Sequence, residues 1–167
     1  MPNLKWWHVV SLVLAFLVVS GAIFYNRINS TTPGGTMAPR YLEVRDSDQG
    51  KLYCRWPVYD DECFSIEFVH SVHQSQVCET FTILGNEIRP KAVKFSSFGA
   101  GMQSHLEEGQ QMQRDGDSLI ITGYGQSYKK MNYIVGTVSD HILHINGEVV
   151  SLKGICGKNA HITILVK

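Results

Sequence analysis

Hydrophobic and polar positions follow two different patterns along this chain. From Trp6 to Tyr25 the residues are apolar except for His8, Ser11, Ser20 and Gly21. As a helix this run has no polar face and would extend about 30 Å, the thickness of a bilayer core. Beyond Arg40 the apolar stretches become short and alternate with polar residues, the period of strands with one buried face. Tyr41 to Arg45, Lys51 to Trp56, Phe64 to His70, Val77 to Ile83 and a longer run around Ile88 to Phe98 read this way, as do later segments flanking Gly116 and Asn146-Gly147 and a closing strand at Ile162 to Val166. Gly85-Asn86 and Asn146-Gly147 are hairpin turns by composition, and Pro90 marks an edge or a bulge. No stretch of this part keeps a helical period for three turns. The expectation is an all-β domain, a single sandwich or partly closed barrel of about nine or ten short antiparallel strands, preceded by one N-terminal transmembrane helix.

The boundaries follow from the same pattern. Residues 1–5 form a short N-terminus, 6–25 a transmembrane signal anchor, 26–39 a Ser/Thr/Gly/Pro-rich flexible tether and 40–167 the β-domain. Ser20-Gly21-Ala22 offers a small-x-small cleavage site, but Ile23-Phe24-Tyr25 carries the apolar run past it, which favours an uncleaved anchor. Lys5 on one side and Arg27 on the other weakly favour a cytoplasmic N-terminus, which puts the domain outside the cytoplasm.

Charge narrows the partners. The chain carries 15 basic and 15 acidic residues; two of the basic ones, Lys5 and Arg27, precede the domain. A near-neutral domain without a clustered basic face is not a nucleic-acid binder. Outside the cytoplasm cysteines can pair, and there are four: Cys54, Cys63, Cys78 and Cys156. Cys54 and Cys63 sit at the near ends of two strands joined by a short loop, so a local bridge is expected there, leaving Cys78 for Cys156. Free buried thiols are the alternative. Zinc has no C-x-x-C spacing to support it.

Candidate chemistry concentrates between residues 64 and 104. His70 closes the apolar row of Phe64, Ile66 and Phe68, and Glu79 stands between Val77 and Phe81 on the apolar face of the next strand. A half-buried carboxylate needs a partner or a shifted pKa. A His70–Glu79 contact across neighbouring strands would satisfy both. His70, His73, Glu79 and His105 could be drawn as a metal site, although residues three apart on a strand face opposite ways. Ser71 or Ser97 with His70 and Glu79 could be drawn as a hydrolase, but no G-x-S-x-G elbow is present. Ser97-Phe98-Gly99-Ala100-Gly101 offers small residues for close backbone approach, without the G-x-G-x-x-G pattern of a nucleotide cofactor site. Tyr124, Tyr128 and Tyr133 with Lys129-Lys130 make either a binding surface or a solvated loop.

His70-Ser71-Val72, then Val77, Glu79 and Phe81, then Ser97-Phe98-Gly99-Ala100-Gly101, taken in order, resemble the family called domain of unknown function 1850, from about Arg40 to the C-terminus. Glu108-Gly109, Val135-Gly136 and His141 fit the same pattern. His73 and Gln103 depart from it, since the family usually has Glu and Pro there. The resemblance implies a small bacterial protein, single-pass in the cytoplasmic membrane with its domain in the periplasm or outside the cell. It also implies a binding or accessory role beside a TRAP-type organic-anion transporter or its periplasmic binding protein, because such genes are often neighbours. Its characteristic surface would comprise His70, Ser71, Glu79, Ser97, Gly99 and Gly101. No cofactor is expected, and an enzyme, as a metal-dependent or serine hydrolase using His70, Ser71 and Glu79, is the lesser alternative. A purely structural His–Glu pair is the third.

Overall fold

The computed structural model describes residues 39–70, 74–96 and 105–167. The anchor and tether expected over residues 6–39 lie outside them but for Pro39, and among the described residues no helix is long and apolar enough to cross a membrane. The described strands are β1 (Arg40–Asp46), β2 (Leu52–Val58), β3 (Cys63–Val69), β4 (Gln76–Leu84), β5 (Glu87–Phe95), β6 (Gln111–Asp115), β7 (Ser118–Thr122), β8 (Lys130–Ile134), β9 (His141–Ile145), β10 (Glu148–Ser151) and β11 (His161–Val166), with one short helix, α1 (Leu152–Cys156).

They form two antiparallel sheets. The smaller runs β2-β1-β11-β8 and the larger β10-β9-β3-β4-β5-β7-β6. Both retain free edges, so the fold is a sandwich and not a closed barrel. Alternation dictates what lies between the sheets: Leu42, Val44, Trp56, Ile162 and Ile164 from the smaller sheet pack with Phe64, Ile66, Phe81, Leu143 and Ile145 from the larger in one buried cluster. A second cluster, Val77, Phe95 and Ile121, continues the inner face of the larger sheet. Trp56 also ties the layers by donating its indole N–H to Glu148 at 2.9 Å.

Turn chemistry acts where expected. β4 and β5 are joined at Gly85-Asn86, and β9 and β10 at Asn146-Gly147, whose φ values of +51° and +79° are those of a tight hairpin. Pro90 lies beside a bulge: the β4–β5 pairing jumps from Phe81–Pro90 to Thr80–Ala92, leaving Lys91 as the extra residue. Two elements differ from expectation. Lys130–Ile134, in a stretch with no strand assigned to it, pairs with β11 as an edge strand, and the end of the last hairpin turns into α1. There Ser151 caps the helix by accepting from Gly154 N–H at 2.8 Å.

The cysteines do not pair as expected; all four are free thiols. Cys63 alternates with buried Phe64, so it points away from the core and its thiol lies 3.5 Å from the Thr82 hydroxyl. Cys54 instead packs on the core cluster. Cys78 faces outward opposite Glu67 while Cys156 packs inward from α1. Each expected bridge would join opposite sides of a sheet. Burial pushes the Cys54 thiol up to about 12, with Cys156 adding to the effect, and burial raises Cys156 to about 11.

Candidate functional site

One row of the larger sheet runs Leu143, Ile66, Glu79, Val93, Ile121, Met112, each residue directly opposite the next. Five of the six are apolar and all face inward. Glu79 is therefore a carboxyl group set into a hydrophobic row, and its partner comes from the other layer: Tyr133 on β8 donates its hydroxyl to Glu79 Oε2 at 2.7 Å. Burial raises the Glu79 pKa above the ordinary carboxylate value, and the Tyr133 hydrogen bond offsets this only in part. Tyr133 is pushed up in turn, by burial and then by the adjacent carboxyl group.

This pair forms the floor of a cleft of about 380 Å³, within the size range of small-ligand sites. One wall is β4 and β5, with Phe81, Pro90 and Val93; the other is the connection from β7 to β8, with Tyr124 and Tyr128. That connection is held in place. Ile88 and Tyr128 exchange backbone hydrogen bonds, both 2.8 Å. Gly123, at φ +82°, runs so close to the 105–110 loop that a Cβ there would lie 2.2 Å from the Gly109 carbonyl oxygen. Tyr124 follows directly, half-buried, its phenol raised by burial and by Glu79 and Glu107.

His70 does not reach this site. The β3–β4 register sets Ile66 opposite Glu79 and Val69 opposite Gln76, and His70 N–H donates to Ser75 at 2.8 Å where the chain reverses. Four residues of strand separate His70 from the Glu79 row, roughly 13 Å. The expected His70–Glu79 contact, and with it the structural pair and a hydrolase built on both, is replaced by Tyr133–Glu79. His70 instead borders a separate hollow of about 370 Å³ with Phe68, Gly136, Ser139 and His141. There His141 stacks on Phe68 at 4.9 Å between ring centres and accepts from Gly136 N–H through Nδ1 at 3.3 Å. Its pKa is lowered by burial, against the opposing charge of Asp140. His105 is exposed in the 105–110 loop. No group of three potential metal ligands occurs among the described residues. Ser71, His73, Ser97, Gly99 and Gly101 lie outside them.

A family model described as domain of unknown function (DUF1850) matches residues 64–152, more than half of the chain. The chain belongs to this family. No curated protein and no solved structure matches it. The DUF1850 span begins at Phe64 in β3, takes in β4 to β10, ends at Leu152 and leaves out β1, β2 and β11. Every side chain that borders the Glu79 cleft therefore falls inside it, while much of the smaller sheet that covers the core does not. Sequence reasoning found Glu79, and it named Tyr133 with Tyr124 and Tyr128 as either a binding surface or a solvated loop, but it did not join Tyr133 to Glu79. Met131 and Tyr133 alternating with Lys130, Asn132 and Ile134 was the available signal.

Proposed function

We propose that this DUF1850 domain is a binding module that takes a small organic molecule in the Glu79 cleft. It is held at the outer face of the bacterial cytoplasmic membrane by the Trp6–Tyr25 run, as an accessory to a TRAP-type transporter. The observation that carries the reading is the placement of Glu79: a carboxyl group in an apolar row costs stability wherever it is only partly paired, and here it opens onto an aromatic cleft. Natural proteins retain such costs at sites of function. The tether rests on the uncharged apolar run, and the transporter association on the family resemblance.

Thermal unfolding of the full-length protein in mild detergent tests the binding role. The probes are choline, 3,3-dimethyl-1-butanol, succinate and benzyl alcohol. At least one should raise Tm, and Val93→Trp, which fills the cleft, should abolish the rise. No rise with any of the four would overturn the reading. The tether predicts that the protein stays in the membrane pellet after alkaline carbonate extraction; release into the soluble fraction would contradict it.

A further inference from the structure

We infer that the ligand of the Glu79 cleft is a small methylated ammonium compound, an inference that rests on the binding role proposed above. Among the described residues the lining offers one carboxylic acid and no lysine, arginine or histidine. An organic anion would find no counter-charge there and would meet the carboxyl group instead. A cation would supply what Glu79 lacks. Tyr133 engages Oε2, and no hydrogen bond among the described residues engages Oε1, leaving one carboxylate oxygen to face the cleft contents.

The walls specify the kind of cation. Phe81, Tyr124, Tyr128 and Tyr133 contribute four aromatic rings to a single cleft, and ring faces attract cations electrostatically, most effectively where water is displaced. A primary ammonium brings three N–H donors that each need an acceptor once buried; beside Glu79 the described lining offers neutral oxygens only, on Thr80, Gln126, Asn132 and the three tyrosines. A trimethylammonium group has no N–H to satisfy and presents methyl groups to the rings. Aromatic walls with one carboxylate fit that group's two requirements, apolar contact and diffuse negative charge. Binding also relieves the protein, because the charge that burial disfavours at Glu79 acquires a partner in the same desolvated space.

Choline and 3,3-dimethyl-1-butanol have the same shape and differ in the charge of one central atom, so they separate this inference from the binding role itself. Isothermal titration of the full-length protein with each, and with succinate, reads the difference. Choline should bind at least about tenfold more tightly than its neutral isostere. Glu79→Gln, which keeps an acceptor for Tyr133, should erase most of that preference. Tyr124→Phe should retain binding and Tyr124→Ala should lose it, each variant being checked for an unchanged circular-dichroism spectrum. Equal affinity for choline and the alcohol, tighter binding of succinate, or a choline preference untouched by Glu79→Gln would overturn the cationic ligand while leaving a binding module in place. Failure of all three probes to bind would overturn the cationic ligand, and failure of benzyl alcohol as well would overturn the binding role.

Discussion

Tyr133 of the smaller sheet and Glu79 of the larger share one hydrogen bond of 2.7 Å across the sandwich, and it is the link by which a hydrophobic row accommodates a carboxyl group. The bond stabilises Glu79 without neutralising it. That makes the pair separable by mutation in a way that an ordinary core contact is not.

Tyr133→Phe leaves the carboxyl group without its donor and should cost about 1–3 kcal/mol. Glu79→Leu with Tyr133→Phe removes both polar groups together, and replacing both partners of a buried pair by apolar groups is commonly neutral or stabilising. The double variant should therefore be at least as stable as the native protein in chemical denaturation. A double variant that loses as much as the sum of its parts would mean that the pair serves stability alone.

Stability should also depend on pH through Glu79. Its folded pKa is raised above 4.5 by burial, so the folded protein holds that proton more tightly than the unfolded chain. The resulting stabilisation is complete below the unfolded value and is lost as pH rises through the folded one. Relative to Glu79→Gln, the native protein should lose roughly 1.4 kcal/mol for each pH unit between those two values. Asp46, Asp115, Asp140 and Glu43 have lowered pKa values and act in the opposite sense, but they are common to both proteins and cancel in the difference. Tyr124 and Tyr133, the titratable groups that face Glu79, are both raised and ionise well above this range. A difference between the two proteins that stays flat from pH 4 to 8 would show that Glu79 is ionised as easily folded as unfolded.

How much of this could be read from residues alone depends on which symmetry of a strand was being used. Alternation assigned faces correctly: Phe64, Ile66 and Phe68 do point inward, and Glu79 does share the side of Val77 and Phe81. Register is different, because sliding one strand by two residues, or by four, preserves every face. The expected His70–Glu79 contact needed such a slide, and the reversal at Ser75 fixed the pairing elsewhere. The partnership of Tyr133 with Glu79 was hidden by distance along the chain. β8 is five residues long and pairs with β11, Asn132 lying opposite Thr163, so the local alternation of Met131 and Tyr133 says nothing about which strand it joins or what Tyr133 faces. For the cysteines the face rule was sufficient, since Cys63 beside Phe64 had to point outward; closeness along the chain was the wrong guide.

Thiol reactivity should sort the cysteines by those faces. Cys63 is exposed on the outer side of β3, whereas Cys54 and Cys156 pack on the core with pKa values pushed to about 12 and 11. The thiolate is the reacting form, so burial slows Cys54 and Cys156 both by access and by protonation. In the folded, reduced protein a maleimide should label Cys63 first, with Cys54 and Cys156 reacting more slowly than they do in the unfolded chain. Peptide mapping after brief labelling reads this order, and early modification of Cys54 would place β2 or α1 differently.

The cleft wall depends on a backbone crossing that can be tested apart from any ligand. Gly123 and Gly109 both adopt positive φ, +82° and +86°, so alanine at either position carries the left-handed penalty of about 1–2 kcal/mol. Only at Gly123 does a collision add to it. A Cβ there would meet the Gly109 carbonyl oxygen at 2.2 Å and the Gln110 Cα at 3.1 Å, both backbone atoms that cannot rotate aside, whereas a Cβ at Gly109 would find its nearest neighbour at an ordinary 3.7 Å. Gly123→Ala must therefore push the 105–110 loop and the β7–β8 connection apart, displacing Tyr124, the next residue. It should lower Tm more than Gly109→Ala does, and it should weaken whatever binds in the cleft even at temperatures where the protein remains folded. Equal losses at the two glycines would mean that the crossing is looser than this geometry. A destabilised Gly123→Ala protein with unaltered binding would remove Tyr124 from the site.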